Sequence, residues 1–300
     1  MREELFKNCT LCPRECNVNR LEGKRGYCGM DSTIRAARAA LHMWEEPCIS
    51  GKKGSGAVFF SGCGLRCCFC QNRDIAIGDS GKEISVERLA EIFLELQEKG
   101  AANLNLVTGA HYVPHIISAL ELARGKGMNL PVVYNSSGYE SVESIRRLDG
   151  YVDVYLPDMK YMEPELAAAF SNARDYPQAA QSAIAEMMRQ TGPCQFAEDG
   201  YIKRGTIVRH LILPGHTKNS IAVLKYLYRT YGEDIFISVM NQYTPVWKNE
   251  KFPELNRKVT RREYEKVLDA AIELGIENGY FQEGETAEES FIPAFDYEGV

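Results

Sequence analysis

Three cysteines, Cys63, Cys67 and Cys70, lie within one short stretch of this 300-residue chain. Thiolates are the usual ligands of iron–sulfur clusters, and such a cluster normally takes four of them. Three thiolates therefore leave one iron with a coordination position for another molecule. Zinc usually takes paired cysteine motifs, and a thioredoxin-like site takes a lone C-x-x-C, which Cys67 and Cys70 alone would fit. A thioredoxin-like site would leave Cys63 and the flanking glycines without a use.

A second set of four cysteines, Cys9, Cys12, Cys16 and Cys28, lies near the N-terminus. Four thiolates from a short segment without its own core fit a closed tetrahedral zinc site or a second iron–sulfur cluster. A metal would stabilise a piece of chain too small to fold alone. The spacing does not distinguish zinc from a cluster, free cysteines in a loop are the other alternative, and Cys48 could replace one of the four.

Polar side chains also follow the predicted strands. Asn135 and Ser137, after one strand, can hydrogen-bond a ribose or a carboxylate. Asp158 and Lys160, after the next strand, are two residues apart and so project to the same side. These side chains could form a binding site, although a plain surface ion pair is the alternative for Asp158 and Lys160.

The elements that must position these residues alternate between buried strands and amphipathic helices. Strands are predicted at residues 57–61, 104–108, 131–135, 152–156, 206–213 and 235–240, with a further short one at 280–281, and helices at 86–99, 113–124, 141–147, 164–171, 220–231 and 261–274. Residues 172–205 interrupt this alternation with an extra helix at 178–190 and a polar loop at 191–205. The pattern predicts an α/β fold, a partial (β/α)6 TIM-like barrel of parallel strands, with a doubly wound open sheet as the alternative. In barrels the functional groups gather at the carboxyl ends of the strands.

Composition sets the broader limits. A glycine-rich turn near residue 51 divides a cysteine-rich, metal-binding segment (1–50) from the barrel domain (51–300). The formal net charge of −6 argues against a general nucleic-acid binder. We find no transmembrane run and no signal peptide, so we expect a cytoplasmic protein whose ten cysteines stay reduced and serve as metal ligands rather than disulfides.

The spacing Cys63-x3-Cys67-x2-Cys70 resembles the motif of the radical S-adenosylmethionine superfamily. The chain looks closest to relatives of pyruvate formate-lyase activating enzyme, in the uncharacterised branch with a cysteine-rich N-terminus. Residues 44–51, and 54–56 leading into 59–63, are typical of that branch. The resemblance extends through most of residues 40–283.

The resemblance implies that the three cysteines hold a [4Fe-4S] cluster whose open iron is chelated by the amino and carboxylate groups of S-adenosylmethionine. It implies that Phe69 packs against the adenine and that Cys68 is not a ligand. The matching strand ends imply further cofactor contacts from Asn105, Thr108, Asn135, Ser137, Asp158, Lys160, Arg209 and Leu211. The usual Gly-Gly-Glu acid is absent after the second strand. His111 is either a pocket residue or an exposed turn histidine, and Tyr243 either contacts substrate or packs in the core.

The resulting hypothesis is an enzyme that reductively cleaves S-adenosylmethionine to a 5′-deoxyadenosyl radical, which abstracts hydrogen from a substrate. An external low-potential donor such as flavodoxin or ferredoxin would supply the electron. The substrate is a protein glycine, as for the activating enzyme of a glycyl radical enzyme, or alternatively a small molecule or peptide. A metal-stabilised redox or scaffold protein is the non-enzymatic alternative. We expect neither nucleic acid nor membrane as a partner.

Overall fold

The computed structural model describes residues 3–78, 80–246, 248–282 and 293–300. Its strands are β1 (Ile34–His42), β2 (Ser55–Phe60), β3 (Lys82–Ile84), β4 (Leu104–Val107), β5 (Val132–Ser136), β6 (Val154–Pro157), β7 (Gln195–Phe196), β8 (Ile202–Leu211), β9 (Phe236–Met240) and β10 (Gly279–Phe281). Its helices are α1 (Pro47–Ser50), α2 (Arg73–Ala76), α3 (Val86–Glu98), α4 (Val113–Gly125), α5 (Val142–Arg147), α6 (Pro164–Ser171), α7 (Tyr176–Thr191), α8 (Thr217–Tyr231) and α9 (Arg261–Leu274). No helix in these ranges is long and apolar enough to cross a membrane.

The described strands form one sheet in the order β10-β9-β8-β6-β5-β4-β2-β1-β3, with β7 paired to β8. The run from β2 to β10 is parallel throughout, whereas β1 pairs antiparallel with both β2 and β3. Successive parallel strands are added in one direction without a reversal of order. This strand order is that of a partial barrel. In a doubly wound sheet the strand order would reverse. The predicted α/β fold is confirmed.

Three of the described helices, α3, α5 and α9, begin after a serine or threonine whose side chain caps the first turn. Ser85, Ser141 and Thr260 each accept a hydrogen bond from a backbone N–H in the first turn of α3, α5 and α9. Such caps satisfy donors that a helix start leaves open. The helices cover one face of the sheet, where Val132 and Tyr134 pack with α3 and α4. They thereby hold the parallel strands with all carboxyl ends at one edge.

The opposite face of the sheet is filled from within the chain. Alternate residues of β5, β6 and β8, among them Val133, Leu156 and Ile207, pack against Cys48 and Ile49 of α1. Because side chains alternate between the faces of a strand, α1 lies on the concave side, away from the large helices. The α1 segment therefore fills one end of the barrel and leaves the edge with the carboxyl ends of the strands open.

The prediction of a polar loop at 191–205 is wrong in part. Residues 195–196 form β7, and β8 begins at Ile202, several residues before the predicted start. The polar stretch Lys203–Gly205 becomes strand because it pairs with β7 on one side and β6 on the other. The extra helix is present as α7, and its apolar face packs in the core through Ala183 and Met187.

The boundary at residue 50 stays a prediction. β1 lies on the N-terminal side of that boundary and is hydrogen-bonded into the sheet through β2 and β3. The part before β1 has little regular structure. It consists of two short 3-10 turns, Glu3–Phe6 and Arg20–Glu22, and a small cluster of Phe6, Cys9 and Leu11.

Candidate active site

The loop that follows β2, residues 61–72, carries the three motif cysteines. We call it the cluster loop. β2 is buried along its whole length, so it delivers this loop to the open edge of the barrel in a fixed position. Gly62 has a φ of +92°, and a Cβ there would lie 2.5 Å from Met30 Cγ. Only glycine allows this turn and the close approach of the N-terminal segment.

The three motif thiols converge. Cys63 and Cys67 both raise the pKa of Cys70, after burial as the main cause, and Cys63 likewise raises that of Cys67. Burial brings the pKa of Cys67 to about 11 and that of Cys70 to about 12, so as free thiols they stay protonated at neutral pH. Metal binding would supply the positive charge that stabilises the thiolates.

Hydrogen-bond donors are aimed at two of the sulfurs. The Ser171 hydroxyl lies 2.9 Å from Cys67 Sγ, and the backbone N–H of Leu65 lies 3.4 Å from Cys63 Sγ. Donors of this kind hold the sulfur ligands of a cluster in place and tune its potential. The three soft donors therefore fit an iron–sulfur cluster. No sequence pattern singled out Ser171, which reaches Cys67 from the end of α6.

Cys68 lines a surface pocket of about 410 Å³ together with four exposed basic residues, Arg66, Arg73, Lys248 and Lys251, and the exposed Glu250. We call the four basic residues the basic rim. Cys67 and Cys70 line the same pocket, so this surface lies directly over the cluster loop.

A second pocket, of about 230 Å³, opens on the other side of Cys67 and Cys70. Four predicted cofactor residues line it: Asn135, Asp158, Lys160 and Arg209. Lys160 Nζ lies 2.5 Å from Asp158 Oδ2, and Arg209 Nε lies 3.1 Å from Asp158 Oδ1. The structure thus joins these predicted residues beside two of the three motif cysteines. We call this the cofactor pocket.

The ion pairs of this pocket keep their charges despite burial. Burial acts to raise the pKa of Asp158, but Lys160 and Arg209 outweigh it, so the pKa is lowered. Burial likewise acts against the charged form of Lys160 and Arg209, yet Asp158 raises the pKa of both above their usual values. Paired, hydrogen-bonded charges are the form in which buried ions persist. The pocket is therefore prepared for a ligand with both positive and negative groups.

A carboxylate that the sequence did not indicate completes this pocket. Glu45 accepts hydrogen bonds from Asn105 (3.1 Å), Asn135 (3.0 Å) and Arg209 (3.1 Å). Asn105 thereby reaches the same group of residues, and its Oδ1 has no hydrogen-bond partner among the described residues. A buried acceptor without a donor fits an ammonium group of a bound ligand. The available signal was the pair Glu45–Glu46 directly before a buried helix.

The remaining predicted cofactor residues lie around this pocket. Thr108, which has a φ of +60°, and Ser137 line a separate small cavity together with Cys63. Phe69 packs against Phe170 and Tyr243, and Leu211 pairs with Met240 at the end of β8. Their roles toward the cofactor stay predictions. Tyr243 is buried, and its hydroxyl donates to Leu255 O in the core.

His111 is buried and not an exposed turn residue. Its Nε2 lies 2.7 Å from the carbonyl oxygen of Ser61, at the start of the cluster loop. Burial, assisted by Arg20, lowers its pKa to about 3, so the ring is neutral at physiological pH. It therefore supports the backbone of the loop.

The N-terminal cysteines lie against the far side of the cluster loop. Cys12 and Cys28 share with Cys63 a cavity of about 10 Å³. The Sγ atoms of Cys16 and Cys28 both lie within 4 Å of an ideal Cβ at Gly26. As the side chains stand, no three His, Cys, Asp or Glu residues among those described surround a ready site for one metal ion. The second metal site stays a prediction.

Two arginines fasten this N-terminal segment to the barrel. Arg14 donates to the carbonyl oxygens of Gly64 (2.8 Å) and Asn172 (2.6 Å), so it bridges the cluster loop and the end of α6. Arg20 is fully buried and donates to the carbonyl oxygens of His111 (2.7 Å) and Asp31 (2.5 Å). The segment is therefore one wall of the site.

A family model described as the radical SAM superfamily matches residues 57–227, more than half of the chain. The chain therefore belongs to the radical SAM superfamily, and its cofactors are a [4Fe-4S] cluster and S-adenosylmethionine. It is an enzyme of that family.

Individual relatives add detail. The chain is 30% identical over 276 residues to an uncharacterized protein of Methanocaldococcus jannaschii, MJ0674, covering 90% of this chain and 75% of that one. It is 27% identical over 113 residues to the pyruvate formate-lyase-activating enzyme of Clostridium pasteurianum, covering 36% of this chain and 46% of that enzyme. Among solved structures, Streptococcus suis SuiB bound to S-adenosylmethionine is similar at 12% identity and a TM-score of 0.46, over 74% of this chain and 45% of that one.

Proposed function

We propose that this enzyme reductively cleaves S-adenosylmethionine at a [4Fe-4S] cluster held by Cys63, Cys67 and Cys70, and uses the product to abstract hydrogen from a substrate. One observation carries the proposal: Cys67 and Cys70 line the same pocket as Asp158, Lys160 and Arg209. Soft metal ligands and a buried set of paired charges thus face one space. When bound, the cluster supplies one electron to the sulfonium, whose carbon–sulfur bond breaks to give methionine and a 5′-deoxyadenosyl radical.

The chain's own residues bind and orient. Arg209 offers a fork of donors to a carboxylate, and Asp158 and the orphan Oδ1 of Asn105 offer acceptors to ammonium and hydroxyl groups. Side chains that already contact one another need little reorganisation when a ligand binds. The apolar α1 segment fills the barrel below them, which limits water around the reacting atoms.

We propose a glycine of a partner protein as the substrate. The local similarity to a pyruvate formate-lyase-activating enzyme supports this choice over a small molecule or peptide. The interruption at 172–205, which could have formed a dedicated substrate pocket, is occupied largely by α7, whose buried residues pack in the core. A small dedicated pocket therefore has no support from that segment.

An electron paramagnetic resonance experiment tests the substrate. The anaerobically reconstituted enzyme, dithionite and S-adenosylmethionine are mixed with a glycyl-radical-type protein such as a pyruvate formate-lyase. A glycyl radical signal on that protein, absent with a Cys63→Ala enzyme, supports the proposal. Cleavage of S-adenosylmethionine without a signal on any such protein would favour a small molecule or peptide.

We also propose that Cys9, Cys12, Cys16 and Cys28 bind a second metal centre, zinc or iron–sulfur. The support is that these thiols lie near one another: the Sγ atoms of Cys16 and Cys28 both lie within 4 Å of an ideal Cβ at Gly26, and Cys12 and Cys28 line one small cavity. Metal and sulfide analysis of a Cys63→Ala/Cys67→Ala/Cys70→Ala variant counts what the N-terminal set alone retains. One zinc, or several irons with matching sulfide, identifies the centre, and no bound metal rejects it.

A further inference from the structure

The Glu45 side chain lies inside the barrel, where it contacts Asn105, Asn135 and Arg209. It comes from the connection between β1 and α1, before residue 57, where the match to the family model begins. It is therefore supplied by a part of this chain that the family match does not include.

The backbone around Glu45 is fixed by buried hydrogen bonds. Its N–H donates to Ser50 Oγ (3.0 Å), and that hydroxyl donates to the carbonyl oxygen of His42 (3.1 Å). Asn103, which is buried, donates to the carbonyl oxygen of Ile49 (2.7 Å) and so holds α1 in the barrel. The carboxylate of Glu45 is thus presented from a rigid support.

The contacts of this carboxylate join three strands. Oε1 accepts from the Nδ2 atoms of Asn105 on β4 and Asn135 on β5, and Oε2 accepts from Arg209 Nη1 on β8. Arg209 also donates to Asn135 Oδ1 (2.6 Å). The Glu45 side chain is only 8% exposed, so water does not weaken these bonds strongly. One carboxylate therefore sets the orientation of two amides and one guanidinium.

Its neighbour Glu46 has a different environment. Burial raises the pKa of Glu46, and although Arg209 opposes this and Glu45 adds to it, the shift is upward. Its Oε2 has no hydrogen-bond partner among the described residues. Glu45 makes the charge-assisted contacts with Asn105, Asn135 and Arg209, whereas Glu46 makes no hydrogen bond to these three residues, and this makes Glu46 a matched control.

We infer that Glu45 is a positioning residue that holds Asn105, Asn135 and Arg209 in the arrangement that binds S-adenosylmethionine; the inference rests on the function proposed above. It acts through these three side chains. If Glu45 instead occupied Arg209 in competition with the cofactor, its loss would tighten binding, so the two roles have opposite signs.

The test measures the affinity of the anaerobically reconstituted full chain for S-adenosylmethionine by equilibrium dialysis, with melting temperature as a check of folding. Glu45→Gln places an amide N–H against the Arg209 donor, and we expect binding about ten-fold weaker or more. At saturating cofactor we expect the cleavage rate to fall by less than the affinity. Glu46→Gln should stay within about two-fold of wild type, because Glu46 makes no hydrogen bond to Asn105, Asn135 or Arg209.

Two further variants extend the test, and the first of them keeps the inference testable if Glu45→Gln folds poorly. Glu45→Asp keeps the charge and should recover part of the lost affinity. Glu45→Gln combined with Arg209→Lys should be less than additive, because residues that act through one contact are coupled. Unchanged or tighter binding in Glu45→Gln, or full additivity, overturns the inference. A wild-type enzyme that cleaves no S-adenosylmethionine would instead overturn the proposed function.

Discussion

The two sides of the cluster loop differ in charge and in space. On one side, the cofactor pocket of about 230 Å³ holds Asp158, Lys160 and Arg209 as buried ions. On the other side, a cavity of about 10 Å³ is closed by the N-terminal segment, and burial shifts the pKa values of two of its lining residues, His111 and Glu140, toward their neutral forms. Burial lowers the pKa of His111 to about 3 and raises that of Glu140 to about 8.

This difference shows how one loop can serve two purposes. Charged groups are retained where paired partners surround them and a charged ligand has room to bind. On the closed side there is space for about one water, and the buried Arg20 is held by backbone carbonyl oxygens. In the proposed function, the open side binds the cofactor and the closed side fixes the loop.

The largest expected effect is the loss of activity when a motif cysteine is replaced, and it tests whether one cluster is held by cysteines from both sides of the cluster loop. Cys63 lies on the closed side and Cys67 on the open side, yet replacing either with Ala should abolish formation of 5′-deoxyadenosine. The loss should be at least about a thousand-fold, because the cluster then lacks a ligand. The measurement is product formation per chain with iron content determined in parallel. Cys68→Ala, the matched control on the same loop, should retain activity, and its inactivity would contradict the assignment.

A smaller effect is expected at the basic rim, which surrounds the surface pocket that Cys67 and Cys70 line opposite the cofactor pocket. Lys248→Glu combined with Lys251→Glu should slow reduction by an acidic, low-potential donor protein such as a flavodoxin about ten-fold at low salt. Raising the salt concentration should bring the reduction rates of the variant and the wild type closer together, because salt screens exposed charges. Stopped-flow kinetics give the rate. The control is the pair Lys225→Glu and Lys266→Glu, on the exposed surfaces of α8 and α9. Equal slowing by both pairs would show that the basic rim is not the surface that receives the donor.

Arg14 tests the closed side. Arg14→Ala removes the donors to the carbonyl oxygens of Gly64 and Asn172 and should lower the free energy of unfolding by about 2 kcal/mol. Denaturant unfolding provides the value. Arg25→Ala changes an exposed arginine in the same segment and should have little effect. Equal stability of the two variants would mean that Arg14 does not fasten the segment.

His210 tests the support behind the cofactor pocket. Its Nδ1 lies 2.7 Å from the carbonyl oxygen of Met159, and burial lowers its pKa to about 4. In the unfolded chain a histidine titrates near pH 6.5, so below that pH the unfolded state takes up a proton that the folded state excludes. Stability present above pH 6.5 is therefore lost as the pH falls toward 4.

His210→Asn keeps a donor for Met159 and removes this titration. Between pH 7 and pH 5 the variant should lose about 2 kcal/mol less stability than the wild type. Urea unfolding at several pH values gives the comparison. Parallel curves for the two proteins would show that His210 does not titrate in this way.

Local patterns predicted most of the fold and the motif, and long-range contacts explain what was missed. Cys63, Cys67 and Cys70, and the polar ends of successive strands, follow from spacing within short segments. β1 was not predicted because its alanines and arginines favour helix, and pairing with β2 and β3 overrides that preference.

The position of Glu45 could not be predicted for the same reason. Its partners Asn105, Asn135 and Arg209 are far away in the sequence and meet it only once the barrel is closed around α1. Arg20 is another example, because it is fully buried and donates to the carbonyl oxygen of His111, which is far away in the sequence.

The most direct test of the central claim is the appearance of 5′-deoxyadenosine. The wild-type chain is reconstituted with iron and sulfide without oxygen, its cluster content is confirmed by spectroscopy, and dithionite and S-adenosylmethionine are added. We predict 5′-deoxyadenosine and methionine in equal amounts, formed only when reductant is present. No 5′-deoxyadenosine from a protein with its cluster confirmed would contradict the account.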